Sequence, residues 1–341
     1  MTEPFAISET SPSDKPRPSF QSIQVLRAVA AFAVLLFHEK LLAIGYGGVD
    51  IFFVISGFIM GTFGSRQRPL AFMGNRIARI VPLYWLVTLA LCAMSLVPHA
   101  FNTFAFDRDS LTKSLLFIPY LDQTGHVWPL MVAGWTLNYE MFFYLIFALG
   151  LMVNQPRVLT PLVMMALVAA GLLFHSSSPI LQTYSDPLLL EFAAGLGLSR
   201  LSFAWGRWLG LALFLGAIAL FAMVAISGGP EDGLSRIIFL GIPAMALVAG
   251  ALTLERAGCW PRIRLLEAAG DASYSLYLLH GIIIAFTAKF LPLPPMVNDL
   301  LAIGLSLGAA LLSYRLFELP VARLLRRLAR VWLEKPIAVS P

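Results

Sequence analysis

The chain reads as an all-α, polytopic integral membrane protein of about ten transmembrane helices with both termini in the cytoplasm, on three observations. First, 58% of its residues are hydrophobic, only 13% are charged, and the mean hydropathy is +0.79, far outside the range of soluble domains. Second, many apolar runs approach the roughly 20 residues needed to cross a hydrocarbon core. Third, Lys and Arg alternate from one set of connections to the next.

Hydropathy places spans near 23–43, 48–64, 80–98, 134–153, 158–175, 187–200, 207–227, 235–254, 272–291 and 297–317. The second and sixth are short, and 111–121 is apolar but too short to span, hence re-entrant or interfacial. With the N-terminus inside, 19 of the 24 Lys and Arg residues fall on the cytoplasmic side, and Lys40, Arg108, Lys113, Arg236 and Lys289 on the other. The net charge of +5 is therefore a topology signal and implies no nucleic-acid partner. Residues 1–19, rich in proline and polar residues, read as a disordered cytoplasmic tail and not a signal peptide. Residues 20–320 form one transmembrane domain, with no room for a soluble one. Residues 321–341 read as a basic amphipathic tail on the anionic lipid surface. Cys92 in a span and Cys259 in a loop suit neither a disulfide nor a metal site, and no metal centre is expected. No internal repeat is visible, which weakens the case for a secondary transporter.

Ionisable residues inside spans cost about 2.5–3.5 kcal/mol on insertion scales and so point to function. The first span carries Arg27 and His38. Eleven residue steps separate them by about 16 Å and leave them within about 20° of one face. Arg27 is either a snorkelling cation or a fixed charge in a cavity. His38 is either a membrane-edge residue or a general base, since an imidazole can take the proton of an attacking hydroxyl near neutral pH. Asp50 follows a glycine-rich bend, either as a helix cap or at the depth of His38, where it would orient the imidazole. Ser56 and Gly57 suit close helix packing. Arg76 and Arg79 lie three apart on one helical face just before the bilayer, as plain positive-inside residues or as a phosphate clamp. Trp135 and Glu140 open the fourth span; a belt role suits the Trp, whereas the carboxylate must face protein or water. His280 lies in the polar stretch DASYSLYLLH, and Glu318 could pair with Arg315.

Taken in order, Arg27 and His38, GGVDIFFVISGF, Arg76 and Arg79 with the following P-x-Y-W, WTLNYEMFFY, SYSLYLLH and FELP make the chain resemble the acyltransferase 3 family of membrane proteins. The likeness is to its exopolysaccharide and lipopolysaccharide acetyltransferase branch and runs from Phe20 to about Pro320. It implies an acyl-CoA donor, usually acetyl-CoA, approached from the cytoplasm of a bacterial inner membrane. The acceptor would be an envelope polysaccharide or a lipid-linked glycan precursor, with polysaccharide assembly proteins as candidate partners. The family's essential arginine and histidine fall on Arg27 and His38, and its R-x-x-R on Arg76 and Arg79. On this reading His38, oriented by Asp50 or Glu39, is the base, and Arg76 and Arg79 with Arg27 hold the coenzyme A phosphates. Trp135, Glu140 and His280 shape the acceptor side. A transporter or flippase for a polysaccharide or lipid-linked intermediate is the competing expectation; it leaves the paired arginines without a role.

Overall fold

Apolar segments in lipid have no water to bond their backbone, so each must close its hydrogen bonds internally, and helices result. The computed structural model describes residues 20–96 and 106–333, and among these residues every regular element is helical. The helices are α1 (Gln21–His38), α2 (Gly48–Ile59), α3 (Pro69–Ser95), α4 (Arg108–Leu115), α5 (Trp135–Met152), α6 (Pro156–Leu173), α7 (Pro179–Tyr184) and α8 (Leu189–Leu198). They continue as α9 (Arg207–Ser227), α10 (Gly233–Arg236), α11 (Ile242–Arg256), α12 (Arg264–Asp271), α13 (Ser273–Phe290), α14 (Pro295–Ser313) and α15 (Leu319–Leu333). Nine stretches among the described residues are long and apolar enough to cross a membrane, so the protein is multi-pass. The expected 1–19 tail lies outside the described residues.

The expected sixth span is where the count departs from ten: α8 has ten residues, a rise of about 15 Å, too short to cross lipid unaided. It runs parallel to α2 in the interior, so it meets protein in place of lipid and needs no full-length apolar run. A Cβ on Gly57 would lie 2.2 Å from the Phe192 carbonyl oxygen, one on Gly195 2.1 Å from that of Val54, and one on Gly61 2.0 Å from Ser199 Oγ. Small residues thus let these two backbones touch, the usual basis of tight helix pairing in membranes.

Arg76 and Arg79 lie inside α3, which starts at Pro69 and not near residue 80. The 111–121 segment is not a span: α4 is one short helix, closed by a capping box between Asp107 and Ser110, and the chain after it is irregular. It is tied to α3 by Tyr84 Oη and Trp85 Nε1, which donate to the Ser114 and Leu115 carbonyls at 3.1 and 2.8 Å. After α14 the helix passes through a wider turn, Tyr314–Glu318, into α15. That turn separates Arg315, which is exposed, from Glu318, which is buried and accepts from Ser275 Oγ at 2.8 Å, so the expected pair does not form.

Helix α1 is the centre of the bundle and packs on α2, α11, α12 and α13. Its first amides, Gln21 N and Ser22 N, donate to the Glu255 carboxylate at the end of α11 at 2.8 and 2.9 Å, so an acid from another helix caps it. Its other end stops just after His38, where Lys40 adopts a left-handed conformation (φ 59°) and Leu41 N donates back to Leu36 O at 2.9 Å. His38 is therefore the last helical residue and is exposed, while Arg27 is buried in the bundle.

Candidate active site

A cavity with about 720 Å³ of empty space, part of it open to the exterior, lies between α1, α2, α3, α5 and α13. Arg27, Arg76 and Arg79 line it together with Ser56, Glu140, Tyr144, Tyr274 and Tyr277. Arg27 and Arg76 are 7% and 8% exposed, which for guanidinium groups demands compensation. Little is supplied by the protein. Arg27 Nη1 donates to Gln24 Oε1 at 3.0 Å; Arg76 sits 5.7 and 5.8 Å from the Phe72 and Tyr144 ring centres, and its Nε has no partner. Among the described residues the ion pairs are Arg236 with Asp50 and Lys113 with Asp109, so none of the three cavity arginines is neutralised at contact distance. Glu318 and Glu140 act on Arg79 only through space. Three guanidinium groups that converge in one cavity with no contact ion pair are chemically suited to a multiply charged anion.

Glu140 belongs to this same cavity. Its Oε1 accepts from Ser56 Oγ at 3.1 Å and from Tyr144 Oη, and Tyr144 in turn carries Arg76 over its ring. The carboxylate expected on the acceptor side therefore stands among the arginines expected on the donor side. Ser56, expected only to ease packing, bonds it. Above this level Thr136 Oγ1 donates to Tyr277 Oη at 3.0 Å, and the Tyr277 ring centre lies 6.0 Å from that of His280. Polar groups thus continue from the arginines toward the histidine end of α1. Trp135 packs edge-on against Tyr139, 5.8 Å between centres, and does not line the cavity.

His38 and His280 meet at that end, with ring centres 4.8 Å apart. His38 Nδ1 lies 2.8 Å from the Val34 carbonyl oxygen and 3.3 Å from His280 Nε2, and His280 Nδ1 lies 3.2 Å from the Leu276 carbonyl oxygen. Asp50 is not beside them. The bend before α2 descends along α1, so that a Cβ on Gly48 would already meet the Ala30 carbonyl at 2.4 Å, about two turns below His38. Asp50 is fully buried there and accepts from Arg236 Nε and Nη2 at 3.0 and 2.8 Å, both carboxylate oxygens being used. Its expected role of orienting His38 is replaced by a bidentate ion pair that joins α2 to the end of α10. The partner was hidden in the sequence because Arg236 reads there as one of the few Lys and Arg residues on the outer side. Tyr144, Thr136 and Tyr277 also escape a linear reading, since only packing shows which tyrosines of an aromatic-rich helix face inward.

A family model described as an acyltransferase domain, Acyl_transf_3, matches residues 20–315, which takes in every residue of this cavity and both histidines. The chain belongs to the acyltransferase 3 family. The chain is 36% identical over 310 residues to the exopolysaccharide production protein ExoZ of Rhizobium meliloti (strain 1021), covering 85% of this chain and 95% of that one. It is 28% identical to the putative membrane-bound transacylase BcsY of Komagataeibacter xylinus, over 89% of this chain and 83% of the relative. With the peptidoglycan O-acetyltransferase OatA of Listeria monocytogenes serovar 1/2a (strain ATCC BAA-679 / EGD-e) the identity is 24%, over 89% of this chain and 56% of the longer relative. No solved structure matches. The resemblance seen in the sequence is thereby established as family membership, and the acyltransferase 3 chain is an acyltransferase embedded in a membrane.

Proposed function

We propose that the protein is an O-acyltransferase of a bacterial inner membrane that moves an acyl group, most simply acetyl, from cytoplasmic acyl-CoA to a sugar hydroxyl. The acceptor is an exopolysaccharide or its lipid-linked precursor on the far side. The observation that carries this reading is the polarity of the bundle's central cavity and helix. Arginines without a contact ion pair lie at one end, and an exposed histidine lies about 16 Å from one of them, Arg27, on the same helix. Coenzyme A phosphates at Arg76, Arg79 and Arg27 would direct the pantetheine arm past Glu140 and Ser56 toward His38. His38 Nε2 takes the acceptor hydroxyl proton as the oxygen attacks the thioester carbonyl. The carbon–sulfur bond breaks, and the imidazolium returns the proton to the departing thiolate. The choice of acceptor is supported by relatives named for exopolysaccharide production and for peptidoglycan O-acetylation. Positive-inside charge supports cytoplasmic termini, and so an arginine end facing the acyl-CoA pool.

Purified protein in proteoliposomes, given labelled acetyl-CoA and the producing organism's glycan, should release coenzyme A and form an alkali-labile ester. His38→Ala should abolish transfer while accumulating normally in the membrane. Near-normal ester formation by that variant would remove His38 from the mechanism. Glycan movement with no consumption of acetyl-CoA would favour transport instead.

A further inference from the structure

We propose that His280 is a positioning residue that holds the His38 ring and supports the positive charge it gains when its Nε2 acts as the base. This is the task a carboxylate performs in serine hydrolase triads. The proposal rests on the acyl-transfer reading above and replaces the role expected of Asp50.

The proton positions follow from the partners. A backbone carbonyl only accepts, so His38 Nδ1, 2.8 Å from Val34 O, carries a hydrogen. By the same rule His280 Nδ1, 3.2 Å from Leu276 O, carries one. The remaining contact joins His38 Nδ1 to His280 Nε2 at 3.3 Å. A second hydrogen on His280 would set two donors against each other, so His280 is neutral and its Nε2 presents a lone pair. Each ring is thus set by the carbonyl four residues earlier on its own helix, and the two helices are registered so that acceptor meets donor. His38 Nε2 is left free as the base. His280 is 2% exposed and His38 is exposed, which suits a fixed buried support for a ring that meets substrate.

When Nε2 takes the hydroxyl proton, positive charge spreads to the Nδ1–H group, and its bonds to His280 Nε2 and Val34 O strengthen. His280 gains no proton; the one taken from the hydroxyl goes on to the thiolate. The charged and titratable neighbours of this end are Glu39 and Lys40 on the same segment, Asp299 of α14 against Glu39, and Tyr277 one turn before His280. Among the described residues none of these bonds either imidazole, so the task of a triad acid falls to His280 alone.

The test uses the full chain in proteoliposomes with acetyl-CoA and acceptor glycan. His280→Gln places an amide oxygen near the position of Nε2, whereas His280→Leu fills the space without an acceptor. His280→Leu should lower kcat about 100-fold with the KM for acetyl-CoA unchanged, the range of a general-base contribution, and His280→Gln should recover to within about tenfold of wild type. Nitrogen NMR of histidine-labelled protein should show the His38 proton on Nδ1 in wild type and a displaced Nδ1 signal in His280→Leu, where that hydrogen keeps Val34 O and loses its second acceptor. Full activity of His280→Leu, equal impairment of both variants in folded protein, or a His38 proton on Nε2 in wild type would each overturn the proposal. A wild-type protein that consumes no acetyl-CoA would bring down the acyl-transfer reading itself, and the NMR result tells that failure from this one.

Discussion

Arg76 shows most plainly how a single residue carries the proposed donor site. Its guanidinium is buried against two aromatic faces and keeps an unpartnered Nε, so its removal leaves no buried carboxylate without its ion-pair partner. Arg76→Gln should therefore raise the KM for acetyl-CoA about 10- to 100-fold, the worth of a charge-assisted hydrogen bond of about 1.5–3 kcal/mol, without lowering thermal stability. Steady-state kinetics and melting curves on the same detergent preparation check both halves. Asp50 is the opposite case. Asp50→Asn leaves Arg236 buried beside a neutral amide and should cost about 3–5 kcal/mol, read as a marked drop in melting temperature. The double variant Asp50→Leu with Arg236→Met should recover most of that loss and retain transfer per folded molecule. Absence of transfer in that stable double variant would restore a direct catalytic role to Asp50. At this scale the sequence marks which residues are anomalous, because a buried charge in an apolar run is conspicuous on any reading. It does not pair them: Asp50 and Arg236 are 186 positions apart, and their contact depends on how α2 descends along α1.

Two of the elements that set these positions, α2 and α8, are short and depend on each other. Helix α2 can present Ser56 to Glu140 on one face because its other face lies against α8 through Gly57. Gly57→Ala forces a Cβ into the backbone of α8, where no side chain can move aside, and should abolish recovery of monodisperse protein from detergent. Gly197→Ala in the same short helix meets nothing within 4 Å and should be neutral or stabilising by up to about 1 kcal/mol, because alanine loses less backbone entropy. Size-exclusion profiles of the two variants side by side test the pairing. Helix length and hydropathy identify the lipid-facing spans such as α6 and α9 readily, since each must satisfy the bilayer unaided. They misjudge α8 for the same reason: an element surrounded by protein is released from that requirement.

Across the whole molecule, cytoplasmic placement of both termini requires the buried α8 to complete an even number of crossings with the nine long apolar stretches among the described residues. Cys259, exposed after α11, and Cys92, buried in α3, give a direct check. A membrane-impermeant maleimide should modify one thiol in inverted vesicles and none in intact cells, and Cys259→Ser should remove the signal. Labelling from outside would invert the topology and place the arginine cavity away from the acyl-CoA pool.

Composition, run length and charge alternation suffice to specify a multi-pass helical protein, because the bilayer imposes the same demand on every lipid-exposed residue and leaves few alternatives. Local spacing likewise sets Arg27 and His38 on one face of one helix and Arg76 and Arg79 on one face of another, since helical periodicity needs no partner. Which groups meet between helices was decided by packing alone. Glu140 joins the arginines where α5 faces α1 and α3, His38 joins His280 where α1 packs on α13, and Asp50 joins Arg236 at the depth that close backbone approaches at Gly48, Gly57 and Gly195 give α2. Those approaches depend on the shapes of surfaces distant in the chain, and a one-dimensional pattern does not carry that information.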